Sequence, residues 1–120
     1  MEYRVIDSHR NEFPQPIQLR CGDVVTVTDK VSAAFPDWVF CMTAPETPGG
    51  WVPNGILRLD GTSGYALEDY DASELDVDAG EVVDGLRVLG GWLWCRSRRS
   101  GRHGWLPLDK VRPAAAAVTD

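Results

Sequence analysis

The chain has 120 residues, of which 43% are hydrophobic and 25% are charged, a composition that is typical of a globular protein and excludes a largely disordered one. Its net charge of -6 argues against binding to nucleic acid or to an anionic membrane, because both need a basic face. No run of residues has the length and hydrophobicity of a membrane span or a signal segment, and the three cysteines show no Cys-x-x-Cys spacing. We therefore expect a protein of the cytoplasm.

Three short patterns occur twice along the chain, in the same order. They are Gly22–Val25 and Gly80–Val83, Asp37–Cys41 and Gly91–Cys95, and Gly50–Pro53 and Gly104–Pro107. Trp38 and Trp51 have the same separation as Trp92 and Trp105, and an insertion in the loop Lys30–Pro36 explains the different spacing of the earlier pattern. The sequence therefore predicts two copies of one small domain.

The repeat sets the predicted domain boundaries. We expect a first domain over residues 1–59, a short linker over residues 60–64, a second domain over residues 65–113 and a disordered tail over residues 114–120. The linker is assigned to the sequence Asp-Gly-Thr-Ser-Gly, because this composition is short and flexible.

Within each copy the local patterns indicate strands. Val24–Thr28 and Trp92–Arg96 alternate apolar and polar residues, and turns that contain Gly or Pro break the chain at short intervals. Helical signals are limited to a single turn near Pro53–Leu57 or Leu108–Val111. Short strands at regular spacing predict an all-β fold of the small-barrel or sandwich type.

The second copy resembles an SH3 domain over Tyr65–Pro113. The resemblance is carried by the opening Ala66–Tyr70 (Ala-Leu-Glu-Asp-Tyr), an acidic loop, the tryptophan strand Trp92–Arg96 and the segment Gly104–Pro107 (Gly-Trp-Leu-Pro). These motifs follow one another in the order and spacing of the family.

The first copy is similar to the variant SH3 domains found in bacterial proteins. Val5-Ile6-Asp7 stands in the place of the opening motif, and Ile17 and Leu19 stand in the places of Leu75 and Val77. The resemblance of both copies implies two small SH3-like barrels in tandem, joined by a short linker.

The resemblance also implies a groove in which aromatic residues hold an extended proline-rich peptide and acidic residues engage a basic residue of that peptide. The candidate ligand-binding residues are Tyr70, Asp71, Glu74, Asp76, Trp92, Trp105, Pro107 and Lys110 in the second copy, and Trp38 and Pro53 in the first. Glu68 replaces the first groove tyrosine, and Asp109 and Lys110 replace the late asparagine and tyrosine. We expect binding in the second copy, which keeps more of the groove.

Other residues allow more than one interpretation. Cys41 and Cys95 are expected in the two cores as small apolar residues, with a redox or metal role as the alternative. The stretch Glu68–Asp84 holds eight carboxylates and no base, which fits a solvated face, a site for a basic ligand or, least well, acid–base chemistry. Arg96–Arg102 fits a solvated hairpin tip or a dock for an acidic partner.

The two tryptophans Trp51 and Trp105 each precede a core residue, so they are expected to point outward. An outward indole fits a contact with a partner, and rings that pack between the two barrels are the alternative.

These observations predict a non-enzymatic protein–protein interaction module that binds a peptide or a partner protein, with no cofactor or metal. An accessory or assembly subunit of a larger cytoplasmic enzyme complex is the alternative, and a homo-oligomer is compatible with both. A small enzyme or metal protein is the third hypothesis, but the sequence shows no catalytic triad, Cys/His pair or phosphate loop to support it.

Overall fold

A computed structural model describes residues 1–11, 15–28, 36–45 and 47–114, and the described chain is all-β apart from two short 3-10 turns. The strands are β1 (Glu2–Val5), β2 (Gln18–Leu19), β3 (Val24–Val27), β4 (Trp38–Met42), β5 (Gly50–Pro53), β6 (Leu57–Asp60), β7 (Ser63–Ala66), β8 (Tyr70–Asp71), β9 (Val82–Leu89), β10 (Trp92–Ser97), β11 (His103–Pro107) and β12 (Val111–Pro113). The 3-10 turns are Asn54–Ile56 and Leu108–Lys110, where the sequence predicts single helical turns. The prediction of an all-β fold is confirmed.

The chain divides into two compact units whose boundaries differ from the predicted ones. One unit, here the continuous unit, is Gln15–Ala72; the other, the discontinuous unit, combines Met1–Pro14 with Ser73–Asp120. The prediction of one domain over residues 1–59 and another over residues 65–113 is therefore wrong in its boundaries. The reason is that β1 pairs with β9 and β12, far along the chain, rather than with the strands that follow it.

The discontinuous unit is built on an antiparallel five-stranded sheet of order β11-β10-β9-β1-β12. Residues at alternate positions of β10 enter the core, so Leu93 and Cys95 are buried while Trp92 and Trp94 lie on the other face. The core cluster consists of Val5, Leu75, Val77, Val83, Leu93, Cys95, Leu106 and Val111. Strand β1 contributes Val5, so residues from both ends of the described chain form one core.

The continuous unit repeats this arrangement with a sheet of order β5-β4-β3-β7-β6, beside the short pair β2–β8. Its buried apolar residues include Ile17, Leu19, Val25, Cys41, Val52, Leu57 and Ala66. Ile17 and Leu19 are buried here as Leu75 and Val77 are in the other unit, as the repeat predicts. Here β7 holds the place that β1 holds in the discontinuous unit.

The predicted linker at residues 60–64 is a β-hairpin rather than a joint between domains. Asp60 pairs with Ser63 in the ladder between β6 and β7, and Gly61 adopts a φ of 61° at the first position of the turn. A glycine with positive φ at this position is the signature of the type II′ turn, which matches the twist of the two strands. The sequence Asp-Gly-Thr-Ser-Gly therefore encodes a tight reversal, which composition alone does not distinguish from a flexible connection.

The two core cysteines are buried as predicted. Cys41 and Cys95 are 0% exposed, and burial raises the pKa of the Cys41 thiol to about 11 and that of the Cys95 thiol to about 12. Residues 30–35 of the predicted insertion and residues 115–120 of the predicted tail lie outside the described residues. Within the described part of the chain, no helix is long and apolar enough to cross a membrane.

The core of the discontinuous unit leads to the first prediction. Leu93→Ala is expected to lower the free energy of unfolding by about 2–5 kcal/mol, because it removes buried methyl groups and leaves a cavity. Leu86→Ala on the neighbouring strand is the matched control, since Leu86 is 57% exposed, and its effect is expected to stay within about 0.5 kcal/mol. Urea unfolding of both variants measures this, and equal losses would contradict the assigned faces.

Candidate functional site

The side chains of Trp92, Pro107 and Lys110 are positioned by the last two strands of the discontinuous sheet and the turn after them. Trp92 and Pro107 are register partners in the β10–β11 ladder, and the amide of Leu108 donates to the carbonyl of Gly91 at 3.0 Å. The 3-10 turn that ends at Lys110 follows directly. The tryptophan, the proline and the lysine are thus held on a rigid frame, and all three are half-buried.

His9, from the N-terminal segment, completes this group. The backbone of His9 exchanges two hydrogen bonds of 3.0 Å with Val77, and its side chain is 6% exposed. The imidazole ring meets the indole of Trp92 edge-on, with 6.0 Å between the ring centroids. We call His9, Trp92, Pro107 and Lys110 the groove cluster.

The imidazole of His9 links a cation to a carboxylate. Its Nε2 lies 2.6 Å from Oε1 of Glu74, and its Nδ1 lies 3.1 Å from Nζ of Lys110. A lysine ammonium can only donate, so Nδ1 accepts from Lys110 and Nε2–H donates to Glu74. Lys110 also donates to the carbonyl of Ser8 at 3.2 Å. These bonds fix the orientation of the ring and of the lysine beside Trp92.

Carboxylates of the acidic loop accept hydrogen bonds from the N-terminal segment. Asp76 accepts from the amide of Asn11 at 2.7 Å, and Asp78 accepts from the guanidinium of Arg10 at 2.5 Å. The hydrogen bond and the charge of Arg10 hold the pKa of Asp78 below its usual value. The loop is therefore tied to Met1–Asn11 and is not simply a solvated acidic face.

The basic residues Arg96–Arg102 lie around the hairpin between β10 and β11, as predicted. Arg98 forms ion pairs with Asp84 at 2.8 Å and with Glu2 at 2.9 Å, and its hydrogen bonds hold the pKa of Asp84 below its usual value. Arg99 lies 3.5 Å from Glu81. These exposed pairs contribute little to stability, but they engage part of the charge that the sequence offers to an acidic partner.

The predicted site residues Tyr70 and Asp71 belong to the continuous unit, whereas Trp92 belongs to the discontinuous one. Strand β8 pairs with β2, so Tyr70 lies opposite Leu19, and its hydroxyl donates to the carbonyl of Trp51 at 3.1 Å. The same unit contains Trp38 and Pro53, which are register partners in the β4–β5 ladder. Trp38, Pro53 and Tyr70 are all buried. The structure thus distributes the ten predicted residues over two units.

Trp105 points away from the core, as expected, but it is not open to solvent, because the residue is only 5% exposed. The alternation along β11 does place the ring on the face away from the core, but the chain at Ser73–Leu75 runs beside the strand. The amide of Trp105 donates to Ser73 at 2.9 Å, and its ring packs on that of Trp94 at 5.2 Å. The equivalent Trp51 is half-buried and packs on Phe40 at 5.3 Å.

His9 is a member of the site that the sequence patterns did not indicate. The signal was present in the comparison of the two opening segments, because Val5–His9 aligns with Ala66–Tyr70 and puts His9 at the position of Tyr70. The structure bears out this alignment: His9 bridges to Val77 as Tyr70 bridges to Leu19. A histidine at a tyrosine position is not by itself a sign of a binding site, and the pairing of His9 with Val77 is visible only in the structure.

No group of three or more His, Cys, Asp or Glu side chains that could hold a metal ion occurs among the described residues. The groove cluster contains hydrogen-bond donors and acceptors beside an aromatic ring, which is chemistry that suits the binding of a polar or extended chain.

Comparison with known proteins supports the fold. The model of the variant SH3 domain family matches residues 3–60. No curated protein and no solved structure matches the chain. Together with the two repeated sheets, this match identifies the fold as all-β and SH3-like in both units.

The hydrogen bonds of His9 lead to the second prediction. Nitrogen-15 NMR at pH 8 is expected to show a protonated Nε2 and an unprotonated Nδ1, because Lys110 donates to Nδ1. Lys110→Met removes this donor and keeps the aliphatic stem, so the Nδ1 signal is expected to move toward that of a ring nitrogen without a donor, while Nε2 stays protonated because Glu74 still accepts from it. A wild-type ring with a protonated Nδ1, or no change in the variant, would contradict the arrangement.

Proposed function

We propose that the chain is a non-enzymatic protein-interaction module and that the groove cluster of the discontinuous unit binds an extended segment of a partner protein. SH3-type domains are, in general, protein-interaction modules. The observation that carries the proposal is the convergence of His9, Trp92 and Lys110, with Pro107 as the register partner of Trp92. A rigid indole beside a proline is the kind of surface on which an extended proline-containing peptide packs.

The discontinuous unit is the better candidate of the two. Trp92, Pro107 and Lys110 are half-buried, so part of each side chain reaches solvent, whereas Trp38 and Pro53 of the continuous unit are buried. Tyr70 in that unit is also buried. A residue that binds a partner must expose some surface before binding, and the exposure therefore favours Trp92 as the main contact.

A basic residue in the partner suits the rim of this groove. Glu74 contacts His9 of the groove cluster, and Asp76 precedes Val77, which pairs with His9; each carboxylate accepts one hydrogen bond on a single oxygen, from His9 and from Asn11. A carboxylate has about four acceptor positions, so both can accept a further bond from an arginine or lysine. The hydrogen bonds from Met1–Asn11 thus fix the orientation of these carboxylates and leave acceptor positions for a ligand.

The proposed setting is the cytoplasm, where thiols stay reduced. All three cysteines are free, and Cys21 is exposed. An exposed free thiol suits a reducing compartment.

The alternative, an assembly subunit held through exposed tryptophans, has less support. It relies on indole surfaces such as those of Trp38 and Trp105, and both rings are buried. Binding of a peptide at the groove cluster is therefore the function that the next experiment tests.

The third prediction tests the groove with a short proline-rich peptide that carries one arginine. In a titration followed by NMR, the indole N–H signal of Trp92 is expected to shift and that of Trp94 to stay in place. Trp92→Ala is expected to weaken binding at least about tenfold, because it removes the aromatic surface. Replacing the arginine of the peptide by glutamate is expected to weaken binding too, since the rim is acidic.

Trp94→Ala is the matched control, since Trp94 lies on the same strand and face but contacts Trp105 and His103. It should leave the affinity unchanged. Equal losses in the two variants, or no shift of the Trp92 signal at saturating peptide, would sink the groove as the binding site.

A further inference from the structure

The sheet of the discontinuous unit carries a second outer indole on the same strand as Trp92. Trp94 lies two residues further along β10, on the face away from the core, and it is half-buried. His103 stacks on this indole, with 6.1 Å between the ring centroids and 23° between the planes, and Trp105 packs on it at 5.2 Å. The ring of Trp94 is thus held in a fixed place while part of its surface stays open to solvent.

The strand register places basic residues around this indole. Arg87 on β9 is the register partner of Trp94, and Arg96, two residues along β10, is the partner of His103 on β11. Register partners and alternate residues point to the same side of a sheet, so these four side chains share one face. Arg87, Arg96 and His103 are all exposed. We call Arg87, Trp94, Arg96 and His103 the basic face.

Another arginine neutralises the one acidic residue of strands β9, β10 and β11. This residue is Asp84, the register partner of Arg96, and its carboxylate accepts hydrogen bonds of 2.8 to 3.2 Å from the guanidinium of Arg98. Within the part of the chain that the structure describes, the ion pairs of this hairpin belong to Arg98 and Arg99, and Arg96 takes part in none of them. The charge of Arg96 is therefore available to a ligand.

The fold does not require these cations, because the continuous unit forms the same ladder of three strands without them. In that ladder the ring of Phe40 packs on Trp51 at 5.3 Å, as the two outer tryptophans pack on each other here. The positions around Phe40 are uncharged: they are Thr28, Met42 and Gly49, in the places of Arg87, Arg96 and His103. The outer position thus holds an aromatic ring in both units, but basic residues surround it in the discontinuous unit only.

We propose that the basic face is a second interaction surface, which binds an extended acidic segment of a partner protein with two carboxylates at alternate positions. Arg87 and Arg96 are diagonal neighbours on adjacent strands, a relation that sets side chains about 7–8 Å apart. Alternate side chains of an extended peptide are about 6.4–6.8 Å apart, so one carboxylate can reach each guanidinium. A guanidinium binds a carboxylate through two parallel hydrogen bonds, and the peptide backbone between the two carboxylates crosses the indole of Trp94.

The charges near the basic face favour a short acidic segment over a nucleic acid. A nucleic acid carries one negative charge per nucleotide and binds best where cations continue along its backbone. Here the carboxylates of Glu2, Glu81 and Asp84 lie beside the same hairpin, where they pair with Arg98 and Arg99. A long polyanion meets these carboxylates, whereas a segment with two acidic side chains needs only the two guanidinium groups of the basic face.

Two short peptides with blocked ends test the proposal on the full chain by NMR titration. With Gly-Glu-Ser-Glu-Gly, the indole N–H signal of Trp94 is expected to shift in a saturable way, while that of Trp92 stays in place. The isomer Gly-Glu-Glu-Ser-Gly has the same composition and charge, but its adjacent carboxylates point to opposite sides of an extended chain. It is therefore expected to bind at least about threefold more weakly.

A pair of variants separates the basic face from general charge attraction. Arg96→Gln is expected to weaken binding of Gly-Glu-Ser-Glu-Gly at least about fivefold, because a neutral amide replaces the charge-assisted bonds of the guanidinium. Arg99→Gln is the matched control, since it removes the same charge from the same hairpin at a side chain that is 64% exposed and pairs with Glu81. Its affinity for the peptide is expected to stay within about twofold of the wild-type value. Both residues are exposed, so both variants are expected to keep the fold.

Equal losses in the two variants, equal affinities for the two isomers, or no shift of the Trp94 signal would overturn the proposal. Tighter binding of an oligothymidylate of eight nucleotides would assign the face to a nucleic acid instead, and a Trp94 signal that shifts with protein concentration alone would assign it to a second copy of the chain. The peptides used here contain no proline and are read at Trp94, whereas the groove cluster is read at Trp92. Failure of this proposal and failure of the proposed function are therefore separate results.

Discussion

The structure depends on the short strand that completes each sheet, which is β1, from a distant part of the chain, in the discontinuous unit and β7, the hairpin partner of β6, in the continuous unit. In the discontinuous unit, β1 lies between β9 and β12 and contributes Val5 to the core. Without it, the backbone groups of β9 and β12 that face β1 lose their partners, which is costly for groups that fold away from water. In the continuous unit, β7 plays the same part between β3 and β6. Both barrels are complete only because these two strands are in place.

The site follows from the same constraint. The residues that follow β1 continue the pairing, so His9 pairs with Val77 and its ring contacts Trp92. There it joins Lys110 to Glu74 through its two ring nitrogens, while Asn11 and Arg10 bind the acidic loop. The N-terminal segment thus contributes to the core, places His9 in the groove cluster and binds carboxylates of the acidic loop, so one backbone pairing determines three features of the discontinuous unit.

Much of the fold could be predicted from the sequence because it depends on local periodicity. Alternation along Trp92–Arg96 put Cys95 on the face opposite Trp92 and Trp94, the resemblance to the SH3 family implied that this face is the core, and the repeat put Cys41 at the equivalent position; both are buried. The single helical turns after Pro53 and Pro107 were also within reach, since both follow the same Trp-x-Pro pattern. These features need only neighbours along the chain and the repeat.

The unit boundaries and the place of His9 in the groove cluster could not be predicted, because they depend on which of two similar strands fills each sheet. Val5 and Ala66 make the same backbone bonds, so these bonds do not reveal which segment fills which sheet, and repeat order favours the pairing that the structure does not have. The placement of Tyr70 beside Trp92 failed for this reason, and His9 was missed for the same reason. The burial of Trp105 depends on the path of Ser73–Leu75, which alternation along β11 does not reveal.

The central claim is that β1 completes the sheet of the discontinuous unit, and cross-strand contacts between α-protons test it directly. Val5 pairs with Val111, and Leu57 pairs with Ala66, both at positions without mutual hydrogen bonds, where facing Cα atoms lie about 4.5 Å apart. In the native chain, nuclear Overhauser spectroscopy should show strong α-proton contacts for Val5 with Val111 and for Leu57 with Ala66. Dominant contacts of Val5 with Leu57 and of Ala66 with Val111 would contradict the account.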